Sequence, residues 1–265
     1  VGFLVGFFLK NGIHSRRTIW MAILSLIPVG CSLILWLVRT LLEREGVSLV
    51  SLYPQMSFFL FLHFLLPLMS VFIGAAVIAD EVEERTLPYL ITRPLPRRNI
   101  VLAKLMSGTM TVAFILFVSL ALTYTLMMLS QGVSGWTSNL TILLQSMGVL
   151  ILGTMVYLPL FGLLGGILNR PVLAGLLFIF GWESTVGMFP GNAKLFTVVH
   201  YLHVLFPRMQ QIRLRNAQSA LLDMVLPAKQ IAPVTAILIL IIMSAIFVGL
   251  LSALLYVKEY RLEQS

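Results

Sequence analysis

The sequence predicts an all-α, polytopic membrane protein with six transmembrane helices, and three observations carry that prediction. Hydrophobic residues make up 59% of the 265 residues, against roughly 45–50% in soluble domains. Charged residues are only 11%, well below the usual share of about 25%. The apolar residues also gather in charge-free runs, long enough for the about 20 helical residues that cross a bilayer. With a mean hydropathy of +0.99, the composition excludes a soluble globular domain, a disordered chain and a disulfide-stapled secreted module. The single Cys31 forms no internal disulfide, and one thiol makes no metal cluster. Helices are preferred to a barrel because the runs are long and lack strict apolar–polar alternation.

The elements follow in chain order. The opening VGFLVGFFL would extend only about 14 Å as a helix, too short for a bilayer. Lys10, His14, Arg16 and Arg17 come after it, so residues 1–17 read as an interfacial helix lying along the membrane. A signal peptide would place its basic residues before the apolar core, with a small-residue cleavage site behind it. Arg17 and Arg39 bracket the first span, 18–38. Glu45 and Asp80 bracket a longer run whose second half, 56–79, is the second span. Lys104 and Arg170 enclose two spans, 105–129 and 140–168, separated by the polar stretch SQGVSGWTSN. A shorter, Gly-rich fifth span covers 172–189 and contains Glu183. An outer segment, 190–233, precedes the last span, 234–257. Within that segment the apolar run 195–206 is too short to cross, which suits a re-entrant or interfacial helix. A plain surface helix at headgroup level explains the same residues.

Lys and Arg accumulate on the cytoplasmic side of membrane proteins. With both termini inside, Lys10, Arg16, Arg17, the five bases from Arg85 to Lys104, Arg170, Lys258 and Arg261 all face the cytoplasm, eleven of the 18. The net charge of +8 then reflects basic residues flanking spans on an anionic leaflet. Nucleic acid is not an expected partner, since no segment is large enough for a folded basic domain with aromatic platforms.

The inner loop 80–104 is the most informative stretch. Asp80, Glu81, Glu83 and Glu84 come first, and Arg85, Arg93, Arg97, Arg98 and Lys104 follow. Between them Leu87, Leu90 and Ile91 fall at i, i+3 and i+4, one apolar stripe on a short helix. Pro94 and Pro96 stop that helix. On spacing alone, a docking helix and an ordinary solvated loop both account for the pattern.

The stretch resembles the segment joining spans two and three of type-2 ABC transporter permeases, the transmembrane subunits of exporters. Those read as an acidic run, Gly/Arg-Thr-Leu, two apolar residues, a Pro, a basic pair and Gly/Ala-Lys. Here the matching residues are Glu83, Glu84, Arg85, Thr86 and Leu87, then Leu90 and Ile91, Pro94, Arg97 and Arg98, and Ala103-Lys104. Pro88 departs from the acidic residue often found there. The resemblance implies that this loop carries a coupling helix seated in a cleft of a separate ATP-binding subunit. It also implies a dimer of like or unlike permease subunits above two ATPase copies, which hold the ATP and Mg²⁺. The setting it implies is a prokaryotic plasma (inner) membrane, with both termini cytoplasmic and a hairpin before the last span closing the outer mouth. This chain contains no G-x-x-x-x-G-K-[ST] phosphate loop, and even the dipeptide Gly-Lys is absent. No cofactor and no catalytic role are expected of it.

Isolated polar residues complete the reading. Glu183, in GWESTVG, is the one acid inside a span, which makes it a candidate for the transport pathway. A hydrogen-bonded structural role is the favoured alternative, with Ser184 and Thr185 as partners and Gly181 and Gly187 admitting a neighbouring helix. His63, alone on an apolar span, reads as a satisfied core residue. His200 and His203 stand at i, i+3, a weak metal pair with no third ligand nearby. Gly162 and Gly166, and Ala245, Gly249 and Ala253, recur every four residues and predict close helix packing. Two other function classes compete with the exporter. A secondary transporter or channel subunit is disfavoured because the spans hold almost no ionisable residues for an ion relay. Gly132-Val133-Ser134-Gly135 matches the G-x-S-G of rhomboid-like intramembrane proteases, but the later spans offer no His as base.

Overall fold

Helices form every extended element of the computed structural model, which describes residues 2–13, 15–44, 49–83, 97–129, 132–186, 195–207 and 231–262. Five are long and apolar enough to cross a membrane: Arg16–Leu37, Leu52–Val77, Val101–Met128, Leu140–Ile167 and Pro233–Leu254. Pro171–Glu183 is apolar but shorter, about 20 Å at helical rise against a hydrocarbon core of about 30 Å. Helix length therefore supports five spans where the charge-free runs predict six. The fifth run keeps its apolar character past Glu183, but the helical part described ends at Val186.

Helix α1 (Gly2–Ile13) leads into α2 (Arg16–Leu24), which starts where Ser15 Oγ accepts from the Thr18 amide at 3.2 Å. Such a cap supplies one of the acceptors that the first turn lacks. The first span breaks at Ser25 before resuming as α3 (Leu26–Leu37), and α4 (Arg39–Arg44) follows. Ser119, on a later span, donates its hydroxyl to the Ser25 carbonyl at this break. Next come α5 (Leu49–Ser57), a π-helical stretch over Phe58–Leu65, and α6 (Leu66–Glu83). Pro67, just beyond the stretch, has no N–H to return a regular helical bond into it. Helix α7 (Arg97–Met128), the short α8 (Gly132–Ser138) and α9 (Leu140–Ile167) lead to α10 (Pro171–Leu177). A second π-helical stretch, Phe178–Glu183, joins α10 to α11 (Ser184–Val186). The last two helices are α12 (Val198–Leu205) and α13 (Pro233–Leu262).

Helix α9 is the hub and packs on α6, α7 and α13. Its contact with α6 is backbone against backbone. A Cβ on Gly74 would stand 2.7 Å from the Leu158 carbonyl oxygen, and one on Gly165 would stand 2.7 Å from that of Ala75. The sequence singles out Gly162 and Gly166 for close packing, but the tightest backbone approach uses Gly74 and Gly165. The other predicted stripe is corrected outright. Ala245, Gly249 and Ala253 face outward, and a Cβ on Gly249 would meet nothing within 4 Å. The first and last spans are the outermost, with Ile23, Ile34, Leu37, Leu238, Ile242 and Leu250 exposed. A bilayer, unlike water, accommodates such surfaces.

Candidate functional site

Helix α12 is too short to be stable by itself, and its place among the spans poses a physical problem. A helix leaves its first amides and last carbonyls without partners, and hydrocarbon supplies none. Thr197, the residue before α12, makes no capping bond with its side chain. The bundle solves this at both ends.

At the N-terminal end, Glu183 caps α12 from the close of the second π-helical stretch. Its Oε1 accepts from the Val198 amide at 3.1 Å, and its Oε2 accepts from the Val199 amide at 3.1 Å. The residue is only 4% exposed. Its two oxygens meet the positive end of the helix dipole and give the first amides acceptors that hydrocarbon would not supply. Tyr157, fully buried on α9, neighbours the carboxylate, but its hydroxyl faces it too loosely for a hydrogen bond of good geometry. The partners differ from those the sequence suggests: Glu183 bonds amides fifteen and sixteen residues away, and the space beside Gly181 is open.

At the C-terminal end, Gln145 on α9 donates from Nε2 to the Leu205 carbonyl at 3.3 Å. Two residues earlier, His203 Nε2 lies 3.1 Å from His63 Nε2. His63 sits in the first π-helical stretch, and its Nδ1 lies 3.4 Å from the Phe58 carbonyl. With the Nδ1 proton directed to that carbonyl, His63 Nε2 is the acceptor and His203 Nε2–H the donor. Phe58 packs at a tilt against both rings, with centroid distances of 4.7 and 4.5 Å. Between the two ends, Leu202 is fully buried and lies 3.1 Å from where a Cβ on Gly153 would stand. Gly153 is midway along α9, so α12 reaches well into the bundle.

Sequence reading pairs His203 with His200 and leaves His63 solitary; the fold joins His203 to His63, 140 residues away. Among the described residues, no group of three or more His, Cys, Asp or Glu is close enough to hold a metal ion. His63 and Glu183 both fall in π-helical stretches, a distortion frequent at functional sites.

The loop between spans two and three is framed by the fold. Glu83 ends α6, and Arg97 and Arg98 begin α7. Glu84, Arg85, Thr86, Leu87, Leu90, Ile91 and Pro94 lie outside the described residues. Both flanking helices run past their apolar windows, α6 from Val77 to Glu83 and α7 back from Val101 to Arg97. At helical rise these extensions are about 9 and 6 Å.

Five helices long and apolar enough to cross a membrane make this a multi-pass membrane protein. The family model described as ABC-2 family transporter protein matches residues 8–184, more than half of the chain, and the chain belongs to that family. It is thus a membrane permease subunit of an ABC transporter and not itself an enzyme. No curated protein matches it.

Proposed function

We propose that this permease is the membrane half of an ATP-driven exporter. The loop 80–104 is its coupling element, and the helix over Pro171–Glu183 with the residues after it counts as the fifth of six spans. Two permease subunits enclose the pathway. Two copies of an ATP-binding subunit sit beneath them and supply ATP and Mg²⁺. The termini and the coupling loop face the cytoplasm of a prokaryotic cell, across its plasma membrane. Helix α12, clasped by Glu183, Gln145 and His63, closes the outer mouth. ATP-driven closure of the ATPase pair moves the coupling loops and swings the membrane halves.

The observation that supports this reading is the frame of the loop. Two helices of an ABC-2 family chain extend beyond their apolar windows on either side of a sequence that reads acidic, apolar, then basic. Leu87, Leu90 and Ile91 are the buried anchors, with Glu83, Glu84, Arg97 and Arg98 at the rim. Small docking sites concentrate their energy in a few anchors, while rim charges chiefly guide encounter. Leu90→Asp puts an unpaired carboxylate into a desolvated contact, at a cost of several kcal/mol. The variant should insert normally and lose the ATPase on co-purification from detergent-solubilised membranes. Full retention of a working complex would overturn the coupling assignment.

A further inference from the structure

Helix α9 carries a proline in its interior, Pro159, yet runs unbroken from Leu140 to Ile167. Proline has no N–H, so the carbonyl four residues earlier, that of Met155, receives no α-helical bond. In hydrocarbon such a carbonyl is satisfied by a side chain from a neighbouring helix. Ser244 of α13 supplies it, donating its hydroxyl to the Met155 carbonyl at 2.8 Å. Other hydroxyls on these two helices turn back onto their own backbone. Ser252, two turns further along α13, donates to the Val248 carbonyl, and Ser146 and Thr154 of α9 donate to those of Ile142 and Ile151. Ser244 reaches across instead, and it meets the carbonyl that Pro159 releases.

The grip continues beyond the proline. A Cβ on Gly162 would stand 3.2 Å from Leu251 Cδ2, and Leu251 is fully buried. Met155 and Gly162 are as far apart in sequence as Ser244 and Leu251, so α13 runs beside α9 in the same direction and spans Pro159. The two halves of α9 are held differently. Past the proline, α9 meets α6 backbone to backbone, with Gly165 against Ala75, and that tight contact begins at Leu158 against Gly74. Before it, the contact with α6 is made by a side chain, Leu66 at Gly153. That earlier half also carries α12, through Leu202 at Gly153 and the bond from Gln145 to the Leu205 carbonyl. One half is therefore clamped, and the other rests on side chains that can shift.

We propose that α9 is hinged at Pro159 and that α13 is its splint, with the bond from Ser244 to the Met155 carbonyl as the catch. While the catch is made, the half that carries α12 stays in line with the half clamped to α6. When it opens, α9 bends at the proline, the usual site of a helix kink, and takes α12 with it. Assigning that bend to export rests on the proposed function; the hinge itself does not.

The test is double electron–electron resonance on the full chain in detergent, with Cys31→Ser and two pairs of nitroxide labels. Leu144→Cys marks the half of α9 before the proline, and Leu122→Cys or Ile34→Cys gives the reference; all three positions are exposed. Leu144 lies about 22 Å from Pro159 at helical rise, so a bend of about 20° moves it by about 8 Å. Without further changes, both distance distributions should be narrow. Ser244→Ala should broaden or shift at least one of them by several ångströms, and Ser244→Thr, which keeps the hydroxyl, should not. Pro159→Ala returns an amide to the Met155 carbonyl, so in that background Ser244→Ala should have no effect. Distributions unchanged by Ser244→Ala in both pairs would overturn the hinge. So would a change that Ser244→Thr fails to prevent, or one that persists with Pro159→Ala. Should Pro159→Ala not fold, the contrast between alanine and threonine at position 244 decides alone. The measurement needs neither ATP nor a partner subunit, so its failure is separable from failure of the exporter reading.

Discussion

At the residue scale, Glu183 is best understood by counting donors and acceptors. Two backbone amides point at it, and a carboxylate offers an acceptor to each. Glutamine offers one acceptor and turns an NH₂ toward the second amide. Glu183→Gln should therefore cost about 1–3 kcal/mol, the range for leaving a buried donor unsatisfied. Hydrogen exchange of peptides covering 195–207 should accelerate accordingly, while the spans stay protected. Unchanged exchange there would mean that the cap contributes nothing to holding α12. The histidine pair has a different signature. His203→Phe keeps a ring against Phe58 but removes the donor to His63, at a cost of about 1 kcal/mol. Combining it with His63→Phe should add less than the sum of the two single changes, because both remove the same bond. Additive effects would show that the rings only pack.

At the element scale, the crossing of α6 and α9 depends on missing side chains. A methyl group at Gly165 would stand 2.7 Å from the Ala75 carbonyl oxygen, a backbone atom that yields only if the helices separate. Gly165→Ala should therefore destabilise the protein by about 1–3 kcal/mol, the usual cost of overpacking. The readout is a lowered thermal midpoint in detergent. Gly249→Ala is the internal control. Its methyl enters open space and replaces Gly by a better helix former, so stability should be unchanged or slightly raised. Identical losses at the two positions would contradict this packing.

At the scale of the whole molecule, orientation is decided by charge and is directly testable. Replacing Cys31 by Ser yields a cysteine-free background, since the chain has one native thiol. In it, Ser134→Cys should react with an impermeant maleimide on intact cells, and Arg97→Cys only after permeabilisation. The reverse pattern would place the coupling loop outside and end the exporter reading. Helix α12 and the segment between α6 and α7 lie at opposite ends of the bundle, since Leu205 meets α9 at Gln145, near its start, and Ala75 of α6 meets it at Gly165, near its end.

Class and membrane setting are legible from composition alone. A bilayer requires long apolar helices, and charge-free runs between Arg17 and Arg39 or Lys229 and Lys258 reflect that requirement locally. The family was legible as well, through the resemblance carried by the stretch from Glu83 to Lys104, and the family match spans residues 8–184. The partners were not. Periodicity reports which solvent a residue meets, but not which distant backbone comes within 3 Å of it. Glu183 could be read as hydrogen-bonded, yet only the fold shows that its partners are the first amides of α12. Gly165 looks like any small residue on a helix until Ala75 is placed against it. His63 looks solitary until α12 enters the bundle. The sequence by itself determined which segments are helices in lipid. Tertiary structure decided how a short helix survives among them, because its terminal groups are satisfied only by side chains that folding brings from far along the chain.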